Sequence, residues 1–405
     1  MSALERNAGE VIPELGRHQR PLLAAGALGL AVCAIGWVLE PAQFYQSYLM
    51  AYMLCLGVTL GCLALGMVHQ LSGGAWGVVI RRPIGAASRV LPVMTVLFLP
   101  IVAGMQDLYV WTRPGVVAGD ALLQHKQLYL NVPFFLARAG LYFIAWNVIS
   151  HLLNKWGLEQ DQTGDPQIAR RMQRLSAGGL LVYGLTITFA SFDWLMSIAP
   201  HWYSTIYGVI IIGGQGLSAI AFLIIVLEWL SRRPPLDTII AKSHFHDLGN
   251  LLLAFVMLWA YFSFSQFLII WAGNLPREIE WYVHRLQTSW MLLGGGLILF
   301  HFAVPLVLLL LRAMKREARL LVRLAVFMLL ARLLDLYWLV APDFHERGLA
   351  LSWLDLALPL SLGTFWAGCF VYQLRRRPIL PVHDPEFDEA LGDILERGRR
   401  PSTAH

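Results

Sequence analysis

The sequence predicts an all-α integral membrane protein of about ten transmembrane helices, and three observations carry that prediction. Of its 405 residues 57% are hydrophobic and only 14% charged, with a mean hydropathy of +0.58, a balance outside that of an ordinary soluble domain. The apolar residues form continuous runs, not alternating ones, so helices and not a barrel do the spanning; a helix satisfies its backbone polar groups within one segment. Basic residues collect at alternate ends of those runs. The net charge of +5 follows from that asymmetry and gives no indication of nucleic acid.

With about 20 residues as the length of a span, the runs are Pro21–Leu39, Ser47–His69, Ile84–Met105, Leu130–Leu153, Leu175–Ile198, Ser204–Leu230, Leu248–Ala272, Thr288–Leu311, Leu320–Val340 and Ser352–Leu374. The third carries Arg89 and Pro92 and follows Arg81-Arg82-Pro83, so it reads as an amphipathic lead-in that turns into a span. The polar start, Met1 to Arg20, has no short apolar core before a small-residue cleavage site, and the first span is expected to serve for targeting.

One set of flanks carries Arg6, Arg17, Arg20, Arg81, Arg82, Lys155, Arg170, Arg171, Arg174, Arg232, Arg233, Lys242, Arg312, Lys315, Arg316, Arg319 and Arg375 to Arg377. The alternate flanks carry Arg113, Lys126, Arg277, Arg285 and Arg347. The positive-inside rule therefore puts both termini in the cytoplasm, with the alternate flanks facing the periplasm if the source is a Gram-negative bacterium, where the membrane is the bacterial inner membrane and the chain multi-pass. Residues 1–20 form a cytoplasmic segment, 21–374 the transmembrane domain and 375–405 a cytoplasmic tail with Pro378, Pro381 and Pro385. Within the membrane domain the helix count allows two four-helix bundles, at about 47–198 and 204–340, with one flanking helix at each end. Two hydrophilic links stand out, an outer one from Gln106 to Tyr129 and an inner one from Asn154 to Arg174; links of that length are often functional.

The stretch from Ser191 to Tyr207 places Asp193 and the rings of Trp194, Trp202, Tyr203 and Tyr207 where one run ends and the next begins. The rings suit headgroup depth and read as an aromatic belt. An acid at the end of an apolar helix needs a partner or a water path, which makes Asp193 a functional candidate. Tyr183, Thr186, Asp193 and Ser197 share one face at helical spacing. That stripe reads either as a proton wire or as hydroxyls bonding neighbouring helices and their own backbone. Arg332 and Asp335, three residues apart in an apolar helix, are placed to pair, as a structural clamp or as part of a proton path. Arg138 lies towards the outer side, within reach of Asp107, Asp193 or Asp355 in the expected topology, and His301 is deep enough to act as a mid-span titrating group.

Metal and haem chemistry finds little support in the residues. Cys33, Cys55, Cys62 and Cys369 lie inside apolar runs without a Cys-x-x-Cys pair, and His69, His151, His244 and His246 fall at helix ends, so no two histidines face each other at one depth. The glycine runs at 213–216 and 294–296 read as close helix contacts and not as phosphate loops, because no strand precedes them.

The Ser191–Tyr207 stretch and the stretch Phe262-Ser263-Phe264-Ser265-Gln266-Phe267-Leu268-Ile269-Ile270-Trp271-Ala272-Gly273-Asn274-Leu275-Pro276-Arg277-Glu278-Ile279-Glu280-Trp281-Tyr282 resemble the NrfD/polysulfide-reductase class of quinone-interacting membrane subunits. The likeness is narrowest to the second such subunit of bacterial alternative complex III, a quinol:cytochrome c oxidoreductase, and extends over nearly all of the hydrophobic region. It implies two four-helix bundles with flanking helices and no redox cofactor held in this subunit. It also implies a sister NrfD-like subunit, iron–sulfur and multihaem cytochrome c partners, and either contact with quinol or a proton route. The competing functional class is a stand-alone proton-coupled secondary transporter, expected to show broken helices at corresponding positions of two halves; Pro92 and Pro100 in one half and Pro305 in the other do not correspond.

Overall fold

A computed structural model describes residues 15–234 and 236–378. Most of the expected cytoplasmic N-terminal segment, with Arg6, and nearly all of the tail, with Pro381 and Pro385, lie outside the described residues. Among those described, the chain is an all-α integral membrane protein with ten helices long and apolar enough to cross a bilayer. They are α1 (Leu15–Leu39), α2 (Pro41–Ser72), α3 (Arg81–Ala103), α4 (Val132–Thr163), α5 (Pro166–Ile198), α6 (Tyr207–Ser231), α7 (Lys242–Gly273), α8 (Trp290–Leu310), α9 (Ala318–Asp343) and α10 (Leu354–Leu374).

α2 and α6 form the centre. In each, 78% of the apolar window is buried, against 22% in α7 and α8, whose apolar faces are left for lipid. α2 packs on α3, α5, α6, α9 and α10; α6 packs on α2, α5, α7 and α9; α4 lies outside on α5, and α1 lies along α10. Two sites of close approach set these distances. A Cβ on Gly61 of α2 would lie 2.3 Å from the Gln215 carbonyl oxygen of α6, and one on Gly26 of α1 would lie 2.4 Å from the Phe365 nitrogen of α10. Small residues at such crossings let backbones meet where lipid supplies no hydrophobic drive between helices.

Two spans are irregular. α3 is a succession of short helices, Arg81–Ser88, Leu91–Val96 and Leu99–Ala103, with Pro92 and Pro100 opening the second and third. Proline has no N–H to continue the ladder, and α2 and α4 take up carbonyls along the broken span. Tyr52 donates to the Met94 oxygen at 3.0 Å, Tyr48 to that of Leu97 at 2.6 Å and Ser150 to that of Ser88 at 3.0 Å. α8 widens to a π-helical turn over Ile298–Ala303, just ahead of Pro305, which cannot donate to the His301 carbonyl. The glycines before it are only in part the close contact expected. Gly294 meets Trp338, whereas Gly295 and Gly296 have open space beside them. The 213–216 run does sit in tight contact, Gly216 against Phe255 and Gly214 against Arg332.

The inner link is a second correction. Residues expected to be loop from Asn154 to Arg174 continue α4 and α5 as helix, and the reversal is confined to Gly164 and Asp165. Gly164 takes the left-handed conformation at φ 65° and the Asp165 carboxylate accepts from the Gln167 N–H at 2.8 Å. Hydropathy marks the thickness of the membrane, while these caps mark the ends of the helices. The outer link is built of short turns, Met105–Leu108, the 3-10 turn Val110–Thr112, Pro114–Ala118 and Ala121–Lys126.

Because the Gly61 contact is with backbone and has no side chain to yield, Gly61→Val should destabilise the protein by roughly 1–3 kcal/mol, in the range for overpacked cores. Thermal unfolding in detergent measures it, and an unchanged midpoint would contradict the close α2–α6 crossing.

Candidate functional site

Near the C-terminal end of α5 the packing is built around Asp193, which is fully buried. Arg138 of α4 meets it in a two-pronged ion pair, Nε to Oδ2 at 2.9 Å and Nη2 to Oδ1 at 2.8 Å, and the Tyr142 hydroxyl donates to Oδ2 at 2.8 Å. Arg138 and Tyr142 are four residues apart on one helix and so reach the same partner. The guanidinium also donates to the Tyr129 carbonyl at 3.1 Å and lies 3.9 Å from the Tyr129 ring and 4.3 Å from that of Phe134. Planar two-pronged geometry and aromatic faces are the means by which an arginine tolerates loss of water. Tyr129, on the link outside the span, has its phenol pushed up by burial and then by the Asp193 charge, so it stays protonated.

A second cluster joins the middle parts of α6, α7, α8 and α9. Arg332 and Asp335 of α9 form an ion pair within one turn, and Trp259 of α7 donates its indole N–H to Asp335 at 3.1 Å. A Cβ on Gly214 of α6 would lie 2.2 Å from the Arg332 Cζ, so the glycine provides the space in which the guanidinium sits. His301, on the π-helical turn of α8, stacks edge-on against Trp259 with ring centroids 4.0 Å apart. It is fully buried, and neither ring nitrogen has a hydrogen-bond partner among the described residues. Buried polar atoms are nearly always satisfied, and π-turns concentrate at functional sites.

The hydroxyl stripe between the clusters divides. Tyr183 donates across to Gln215 of α6 at 2.7 Å, next in sequence to Gly214. Thr186 donates to the Val182 carbonyl at 2.6 Å and accepts the Trp146 indole N–H at 2.8 Å; Ser197 donates to the Asp193 carbonyl at 2.5 Å. Hence Tyr183 and Thr186 share a helix face with Asp193 but are not joined to it by direct hydrogen bonds among the described residues, and their bonds are the backbone and cross-helix ones of the second reading of the stripe. Of the acids within reach of Arg138, Asp193 is the partner. Asp355 accepts from Ser47 at 2.5 Å, from Gln43 at 3.0 Å and from its own Ser352 N–H.

At the outer surface the two long motifs meet. Trp202 stacks on Trp281 at 4.7 Å with planes 14° apart and donates to the Glu278 carbonyl; Ser204 donates to Gln266, which donates to Tyr282 at 3.1 Å. Burial pushes the Tyr282 phenol up to about 12. The outer link is tied to the same turn. His201 bonds Asp120 at 2.6 Å, whose carboxyl is held below its ordinary range by the Leu123 N–H and then by His201, and Lys126 donates to the Pro200 carbonyl at 2.6 Å. Arg285, expected as a solvent-facing flank charge, is 1% exposed. It lies 3.5 Å from the Trp281 ring centroid and pairs with Asp343 at 2.9 Å. Trp281 precedes it by four residues, a spacing that was visible in the sequence.

Among the described residues no three His, Cys, Asp or Glu side chains gather as a metal site. In comparison with known proteins, the chain matches no family model and no curated protein.

A lone charge inside a membrane domain costs more than a matched pair. Arg332→Met and Asp335→Leu should each lower stability by roughly 3–5 kcal/mol, and the double variant by much less. Thermal unfolding of all three in one detergent measures the difference; equal losses would contradict the pairing.

Proposed function

We propose that this chain is the NrfD-like membrane subunit of a quinol:electron-acceptor oxidoreductase of the alternative complex III type, in which it contributes a proton path and works beside iron–sulfur, multihaem cytochrome c and sister membrane subunits. The observation that carries the proposal is the occurrence of two buried carboxylate–arginine pairs at different depths, one in each bundle, with an unsatisfied histidine beside the deeper one. Intramembrane ionisable residues that face a bundle interior mark ion and proton pathways. In this proposal His301, Asp335 and Arg332 form the mid-span station and Asp193, Arg138 and Tyr142 the outer one, with Tyr183 and Gln215 between the bundles. The meeting of the two long motifs at one outer surface also supports it, since a shared surface suits a docking partner.

Quinol chemistry in this chain itself has less to rest on. The larger cavity, ≈ 490 Å³, opens between the outer link and the start of α4, and its walls include Trp111, Val117, Leu130 and Pro133. The Trp111 indole N–H is buried without a partner among the described residues, which suits a ring carbonyl. No wall residue titrates, so none there takes a proton from a quinol. The residues thus fit a ring headgroup but not its oxidation, and the proton path is the contribution we assign.

The transporter alternative predicts breaks at corresponding places in two halves. The irregular spans are α3 and α8, third of the first five and third of the last five, so by order of spans they do correspond, and the choice of the respiratory subunit rests on the buried ion pairs and not on the breaks.

Asp193→Asn keeps the shape of the side chain and removes the titrating group. In the assembled complex in proteoliposomes it should lower proton release per electron and shift the pH profile of quinol oxidation. Wild-type turnover, pH profile and proton release in an assembled variant would remove Asp193 from the path.

A further inference from the structure

The cytoplasmic ends of α2, α3, α4 and α5 surround a cavity of ≈ 70 Å³ that neither ion-pair cluster uses. About 10–15 Å³ by this measure holds one water, so the space takes a compact group the size of several waters. Arg81, Arg82, Arg89 and Arg377 all line it, and among the described residues no acid does. Asp161 stands behind the wall and pairs with Arg82.

Two of these cations, Arg89 and Arg377, donate to neutral groups among the described residues. Arg89 donates to the Asn154 side-chain oxygen at 2.7 Å, to the Gln373 carbonyl at 2.7 Å and to the Gln373 side chain at 3.3 Å. Arg377 donates to the Asn154 carbonyl at 2.5 Å. All these acceptors are neutral. The Arg82 Nε is buried with no partner among the described residues, although the residue is only 9% exposed. Burial, and then the neighbouring Arg82 cation, pull the Arg377 guanidinium below its ordinary value.

Guanidinium groups in this arrangement match a tetrahedral oxyanion, which takes up their forked donors. From these groups we infer that the cavity is a binding site for a phosphate group, carried by an anionic phospholipid of the cytoplasmic leaflet. The depth and the walls select the lipid over the free ion. The arginines stand at the ends of spans, at headgroup level, and Leu63, Ile84, Leu153 and Met172 continue the wall below them as apolar surface. A phospholipid lays its first methylenes against such a surface, whereas free phosphate gains nothing from it. Basic pockets between helices on this side of a membrane recognise acidic lipid headgroups. The site bridges α3, α4 and the start of the tail, through Arg89, Asn154 and Arg377, so an occupant also fastens the C-terminal end of α10 to the first bundle.

Gly157 provides a test that leaves the charges alone. It lines the cavity, and a Cβ built there meets nothing within 4 Å, so Gly157→Phe fills the space with little strain. The full chain in its native assembly, extracted in mild detergent, is examined by native mass spectrometry with added phosphatidylglycerol, phosphatidylcholine or inorganic phosphate. Wild type should retain phosphatidylglycerol in preference to phosphatidylcholine. The R89Q/R377Q double variant and Gly157→Phe should each weaken that retention by about tenfold or more, since each basic residue near the surface contributes about 1 kcal/mol. Displacement of the lipid only by millimolar-range phosphate supports the shared phosphate chemistry with lipid as the source; saturation by phosphate with no lipid retained supports the site with a soluble source. Where the double variant fails to assemble, Gly157→Phe decides alone. Retention equal to wild type in Gly157→Phe, or no preference for either phosphate-bearing anion in wild type, overturns the proposal.

Discussion

A charge inside a bilayer persists only where the protein itself compensates it, and the arrangement of these bundles follows from that constraint. Arg138 and Asp193 join α4 to α5; Arg332 and Asp335 close on each other against Gly214 of α6 and Trp259 of α7; Arg285 and Asp343 join the helix before α8 to the end of α9. Each pair is wrapped in aromatic rings, which exclude lipid while offering indole or phenol donors and π faces to the charges. Replacement of such pairs by apolar side chains is often neutral or stabilising, so packing alone does not explain why they are here.

Protonation is the property that an apolar substitute cannot provide. The Asp193 carboxylate accepts from Arg138 and Tyr142, so proton exchange there requires Arg138 or Tyr142 to move. His301 stands in the opposite condition, with two unsatisfied nitrogens on a turn already widened. In the proposed path, Asp193 is the closed station and His301 the open mid-span one. The central contact between α2 and α6 keeps them at fixed depth, with Tyr183 and Gln215 as the polar crossing between bundles.

Much of this was legible in the chain. Spans show themselves because about 20 apolar residues have few other uses, and Arg89 and Pro92 marked the third as irregular, although it was read as an amphipathic lead-in and not as the succession of short helices it is. Asp193, Arg138, Arg332, Asp335 and His301 were visible because ionisable groups are rare in apolar runs. Three features were not. The inner link hid its helix because hydropathy falls at the membrane surface while the backbone hydrogen bonds continue to Gly164. Periodicity put Tyr183 and Thr186 on the face of Asp193, yet a hydroxyl on a helix bonds its own carbonyls or a neighbouring helix as readily as the next group along. The cavity lined by Arg82, Arg89 and Arg377 joins residues from opposite ends of the sequence, where the positive-inside rule sees only flank charges.

The central claim is that a buried carboxyl of this chain changes protonation during turnover. Infrared difference spectroscopy of the assembled complex, recorded as quinol is added and oxidised, reads carboxyl protonation directly. The account predicts a protonated-carboxyl band that appears or shifts with turnover and is lost when Asp335 or Asp193 is replaced by asparagine. A spectrum in which neither substitution changes any carboxyl band would contradict it, and would leave both pairs as structural clamps.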